Sequence, residues 1–108
     1  MAIAYIALGS NLGESLENCR QALGLLASPQ IQVVEVSSFY RTPAEGYTDQ
    51  PDFINAVARL ETSLSPQELF AAMQGVEKEL GKAVPFRWGP RSIDLDLLLY
   101  ADLVIQEV

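Results

Sequence analysis

The order in which hydrophobic periodicity changes along the chain restricts its fold more than any single residue does. Residues 2 to 8, AIAYIAL, read as a short buried strand running into the turn GSNLG. From Ser15 the spacing becomes helical: Leu16, Cys19, Leu23 and Leu26 keep one face, and Ser28-Pro29 stops it. Residues 31 to 40, IQVVEVSSFY, are rich in β-branched and aromatic residues and predict a strand. RTPAEGYTDQPD, 41 to 52, then reads as a polar loop, of a length that in a small domain is usually functional or disordered. In FINAVARLET, 53 to 62, Ile54, Ala56, Ala58 and Leu60 share one face of a strand, and Phe53, Asn55, Val57 and Arg59 the other. Ser65-Pro66-Gln67-Glu68 is a capping box with proline at the first helical position. Leu69, Met73, Val76 and Leu80 follow at core spacing, with Gln74 and Glu77 on the flank, and Gly81 ends the helix. After the irregular KAVPFRWGPR, the last clear strand spans about 93 to 100. The predicted order β-α-β-β-α-β is the α+β, ferredoxin-like sandwich, with two helices on one face of an antiparallel sheet. At 108 residues and 49% apolar, the chain has material for one core, and we expect a single domain over 1–108.

Composition narrows the chemistry. The one cysteine, Cys19, rules out an internal disulfide and a multi-cysteine zinc site; on an apolar helix face it reads as a small buried hydrophobe. With no histidine, Ser-His-Asp and Cys-His nucleophile systems, His-ligated zinc and His general bases are excluded. Carboxylates, cations, hydroxyls and an oxygen-held metal remain. The net charge of −7 disfavours a nucleic-acid surface. Yet Lys82, Arg87 and Arg91 lie in a window from 80 to 93 that holds no acid, a local patch suited to a small anionic ligand. No apolar run approaches the ~20 residues that span a membrane, and MAIAYIALGS lacks the charged start of a signal peptide, so the expected location is the cytoplasm.

The stretch RWGPRSIDLDLLLY, 87 to 100, concentrates the chemistry. In an extended strand Asp94 and Asp96 point to the same face with Cα atoms about 6.6 Å apart. At that distance their repulsion is about 2.5 kcal/mol for an effective dielectric near 20. A divalent cation relieves it. Mg²⁺ takes one or two carboxylates and completes its shell with water and substrate phosphates, and a metal pair could be bridged by the same two acids. The plainer alternative is an exposed edge strand with solvated carboxylates. Arg87 and Arg91 offer phosphate donors and Trp88 an aromatic plate beside the acids, which together suggest phosphoryl transfer. GSNLGES matches neither the P-loop nor the dinucleotide fingerprint, so Gly9 and Gly13 are assigned to the turn. FINAVARLET lacks the aromatic and basic signature of an RNA-recognition strand.

IALGSNLG, SSFYRTP, DQPDFINAVARLET and above all RWGPRSIDLDLLLY resemble the 6-hydroxymethyl-7,8-dihydropterin pyrophosphokinase family, near continuously from Ala4 to Tyr100. The resemblance implies the ferredoxin-like core and transfer of the β,γ-pyrophosphoryl group of ATP to the hydroxymethyl oxygen of a reduced pterin, with two Mg²⁺ ions, in folate biosynthesis. It implies that Asp94 and Asp96 hold the metal and that Asp94 nears the attacking hydroxyl, with Lys82 and Arg91 as further catalytic groups. Gln74, Glu77, Arg87, Trp88, Arg91 and the main chain near Leu97 would line the ATP site. Asn55, with Thr42, Pro43 and Glu45 mostly through their backbone, would bind the pterin edges; Phe53 would stack on its face, and Trp88 and Asp94 would border it. Loops 41 to 52 and 82 to 91 would be the lids. The chain departs from the family at Lys82, often arginine, and at Phe53, often tyrosine. It also stops at Val108, before a family segment carrying P-H, an arginine and the aromatic for the other pterin face. The resulting expectation is a shortened enzyme with weak or no turnover that self-associates through uncovered apolar surface. The competing expectation is a non-catalytic ligand-binding or oligomerising module on the same fold.

Overall fold

A computed structural model describes residues 1–44, 46, 49–81, 92–101 and 103–104, the side chains of the last two excepted. Its elements are β1 (Ala2–Ser10), α1 (Ser15–Leu26), β2 (Ile31–Val36), β3 (Tyr40–Thr42), β4 (Phe53–Thr62), α2 (Pro66–Gly81), β5 (Asp94–Tyr100) and β6 (Leu103–Val104). The sheet order is β2-β4-β1-β5-β6, with β3 also paired to β4, and every pairing is antiparallel. With β3 and β6 set aside, this is the expected α+β arrangement: β1 and β4 occupy the centre, and the two helices return the chain across one face.

That face is built by alternation. Ala4, Ile6 and Leu8 of β1, Ala56, Ala58 and Leu60 of β4, and Leu95 and Leu97 of β5 are buried against Cys19, Ala22 and Leu26 of α1 and Leu69, Met73 and Val76 of α2. Strand period two meets helix period 3.6 here, so one apolar set from each element makes a continuous core. Cys19 is fully buried, as a small hydrophobe would be, and burial pushes its thiol pKa up. The capping box of α2 is formed at both ends. Glu68 N–H donates to Ser65 Oγ at 3.1 Å, and Ser65 N–H donates to Glu68 Oε1 at 2.9 Å.

Four expectations need correction. The strand expected over 31 to 40 is two strands, because β2 bulges between Val33 and Glu35 and the Ser37 hydroxyl then accepts the Val57 N–H at 2.9 Å in place of a ladder carbonyl. The polar loop begins later than expected, since Arg41 and Thr42 pair with Ile54 and Phe53. Leu16 is 41% exposed rather than on the buried face of α1. At 100° per residue it lies roughly 90° from the centre of the Cys19–Ala22–Leu26 stripe, at the margin of what the sheet covers. Gly9 lies inside β1 rather than in the turn; the turn glycine is Gly13, whose φ of +70° suits a residue without a Cβ. The two-residue β6 carried no sequence signal.

Candidate active site

Cross-strand register decides which side chains meet on the sheet face that the helices leave open. Gly9 pairs with Asn55 on one side and with Asp94 on the other. Ala7 pairs with Val57 and with Asp96 in the same way. Partners in an antiparallel ladder share a face, so Asn55, Gly9 and Asp94 form one row and Val57, Ala7 and Asp96 the next. Asn55 and Asp94 are two strand spacings apart, about 9.6 Å between backbones. Along β5, Leu95 and Leu97 are buried while Asp94, Asp96 and Leu98 are not, which puts both carboxylates on the open face, as their spacing predicts.

At one side of this row lies a polar and aromatic group. Asn55 Nδ2 donates to Thr42 Oγ1 at 2.7 Å and, more weakly, to the Phe53 carbonyl at 3.4 Å. Thr42 pairs with Phe53 across β3 and β4, and Phe53 shares the face of Asn55. Pro43, next in the chain, is exposed and Ala44 beyond it is buried. Thr42, Phe53 and Asn55 are therefore brought together as the sequence suggests, with Pro43 beside them.

At the other side, α2 reaches the edge of β5 that faces away from β1. Glu77 Oε2 accepts the Leu95 N–H at 2.8 Å. Among the described residues β6 pairs with β5 at Leu99 and Tyr100, and the edge near the two aspartates is met by a helix carboxylate. Leu97, two residues further on, has its side chain in the core, and its backbone groups point toward the same edge as those of Leu95. Any ligand meets Leu97 through its main chain. Gln74 is exposed one turn before Glu77. Replacing Glu77 by Ala is expected to speed hydrogen exchange at the Leu95 amide at least about tenfold relative to Gln, which keeps an acceptor. Equal protection in the two variants would show that this bond does not hold the strand.

Asp94 and Asp96 suit a hard divalent cation such as Mg²⁺: two oxygen donors on one face, with room in the coordination shell for water and ligand oxygens. Among the described residues no group of three or more acidic, cysteine or histidine side chains is placed to hold a metal alone. Glu45, Lys82, Arg87, Trp88 and Arg91 lie outside the described residues.

Sequence reasoning missed Asn11. It is 2% exposed, and its Nδ2 donates to Gln50 Oε1 at 2.8 Å and to the Pro51 carbonyl at 3.0 Å, tying the end of the 41–52 loop to the end of β1. Asn18 in α1 holds the same corner through Ser10 Oγ at 3.3 Å and the Leu12 carbonyl at 2.8 Å. A polar side chain at the buried end of an apolar strand must find partners, and that signal lay in GSNLG beside the glycines.

No described helix is long and apolar enough to cross a membrane. A profile of the 7,8-dihydro-6-hydroxymethylpterin-pyrophosphokinase family matches residues 5–107. The chain is 46% identical over 107 residues to the 2-amino-4-hydroxy-6-hydroxymethyldihydropteridine pyrophosphokinase of Haemophilus influenzae, covering 98% of this chain and 67% of that protein. It is 48% identical over 99 residues to the protein of the same name from Bacillus subtilis, covering 91% of this chain and 59% of that one. A folate synthesis bifunctional protein from Pisum sativum is 43% identical over 101 residues, 94% of this chain and 20% of its own length. The chain thus spans roughly two thirds or less of each of these relatives. With the match running through β1, β4, α2 and β5, the chain belongs to the 7,8-dihydro-6-hydroxymethylpterin pyrophosphokinase family.

Proposed function

We propose that the chain transfers pyrophosphate from ATP to the hydroxymethyl group of 6-hydroxymethyl-7,8-dihydropterin, yielding AMP and the pterin pyrophosphate. The observation that carries the reading is the row Asn55–Gly9–Asp94: a side-chain amide suited to a heterocycle edge stands two strands from a carboxylate suited to the phosphate end of a second substrate. Asn55, Thr42, Pro43 and Glu45 bind the pterin edges, Phe53 stacks on its face, and Trp88 and Asp94 border it. Gln74, Glu77, Arg87, Trp88 and the main chain at Leu97 line the ATP site, and Lys82 and Arg91 neutralise charge on the transferred group.

Asp94 and Asp96 hold Mg²⁺, two ions in this reading, which supply charge neutralisation at the phosphates when bound. The protein's own part is positioning. Asp94 orients the hydroxyl, its oxygen bonds the β-phosphorus as the bridge between the α and β phosphates breaks, the bridging oxygen leaves with AMP, and the hydroxyl proton passes to solvent. In this reading the chain works in the cytoplasm, in keeping with the bacterial origin of the relatives it covers most fully.

The test is AMP formation by the whole chain from ATP and 6-hydroxymethyl-7,8-dihydropterin in Mg²⁺. The expected result is AMP that requires both the pterin and the metal. Absence of AMP, or AMP formed equally without pterin, overturns the proposal.

A further inference from the structure

Gly9 is buried next to the last residue of the central strand β1 and pairs with a neighbour on either side, a place where a glycine needs a reason. Backbone conformation is not the reason, for the described glycines with positive φ are Gly13 and Gly46. Space is. A Cβ at Gly9 would stand 2.8 Å from Asn55 Oδ1, closer than real Cβ atoms come, and at ordinary distances of 3.4 Å from Phe53 Cδ1 and 3.5 Å from the Ile54 carbonyl. The conflict is therefore with one group, the Asn55 amide oxygen lying across β1.

That amide is held from its other end. Its nitrogen donates to Thr42 Oγ1 at 2.7 Å and, more weakly, to the Phe53 carbonyl at 3.4 Å, so the donor end of the amide faces β3 and its own strand. Among the described residues the oxygen meets no donor, and it is the group offered to a ligand, an acceptor for a heterocycle N–H. From this arrangement we infer that Gly9 is a positioning residue for Asn55, and through it a specificity-determining position for the pterin. The inference about Asn55 orientation stands on the geometry; the choice of ligand rests on the function proposed above. A methyl group at position 9 pushes the oxygen aside by side-chain rotation, because the obstructed atom is the end of a flexible side chain. The amide then gives up its Thr42 bond or its aim at the ligand, while the fold and the Asp94–Asp96 side are untouched.

The experiment compares Gly9→Ala, Asn55→Ala and the double variant for binding of 6-hydroxymethylpterin with Mg²⁺ and a non-hydrolysable ATP analogue, and follows the Asn55 side-chain amide signals by NMR. Gly9→Ala is expected to weaken pterin binding roughly tenfold, the loss of about one hydrogen bond, with nucleotide affinity unchanged. Its Asn55 signals should move, and in the Asn55→Ala background the same change should add no further loss. Additive losses, an equal loss of nucleotide affinity, or Asn55 signals unmoved in Gly9→Ala overturn the inference. If Gly9→Ala unfolds, the double variant, which lacks the obstructed oxygen, must regain the fold; failure to do so also overturns it. Pterin binding that is unaffected by Asn55→Ala, with Asn55 signals that do move in Gly9→Ala, instead rejects the ligand reading and leaves the positioning role intact.

Discussion

Replacing Asp94 and Asp96 together by Asn should reduce Mg²⁺-dependent AMP formation at least about 10³-fold, the scale on which removing focused charge stabilisation slows group transfer. The reason is in the placement. β5 carries both carboxylates on the open face, and neighbouring rows of the sheet bring Asp94 level with Asn55. Amides keep the shape of the side chains and remove the charges that attract a hard cation. The fold should survive, because the buried neighbours Leu95 and Leu97 are unchanged. Titration of Mg²⁺ against ATP binding separates the metal role from general damage: the variant should lose the metal dependence of nucleotide affinity while keeping its helix signal and unfolding midpoint. Unchanged metal dependence would return the two acids to the rank of solvated surface groups.

Leu60→Ala should lower the free energy of unfolding by about 3–4 kcal/mol, the usual cost of a buried leucine replaced by alanine. Leu60 is fully buried on β4, between Ala4 of β1 and Val33 of β2, and belongs to the core cluster that joins the sheet to both helices. Its neighbours on the core side of the sheet include Ala4 opposite it on β1 and Ala58 two residues before it on β4, and alanine side chains are too short to refill the space. Domains of this size have about 5–15 kcal/mol in all, so one such cavity takes a large part of the margin. Urea unfolding followed by circular dichroism measures it. A loss under about 1 kcal/mol would mean that the core collapses around the gap.

Local patterns were the readable part of this chain. FINAVARLET coincides with β4 from Phe53 to Thr62, because one strict alternation had to face one core. Ser65 and Glu68 announced the start of α2, and Asp94 and Asp96 their common face, since each depends on residues two or three positions apart. Features set across strands were not readable. The break at Ser37 depends on the Val57 N–H, the role of Gly9 on Asn55 forty-six positions later, and the contact of Glu77 on the edge of β5 at Leu95. The family resemblance supplied Glu77 and Asn55 as site residues but not what they bond within the protein. Those bonds emerge only when the sheet order is known.

The bulge within β2 also bears on whether a further strand could extend the sheet at this border. β2 is the terminal strand of the sheet, and a straight terminal strand is a template on which another chain can extend the ladder. Here the extra residue at Val34 twists the ladder out of register, and Glu35 beside it is 70% exposed and paired with Arg59 at 3.1 Å. An incoming strand would have to match an irregular spacing and bury a carboxylate. The irregularity that defeats a simple reading of IQVVEVSSFY thus makes this border of the sheet a poor seed for aggregation, a safeguard that straightening β2 by deleting Val34 would remove.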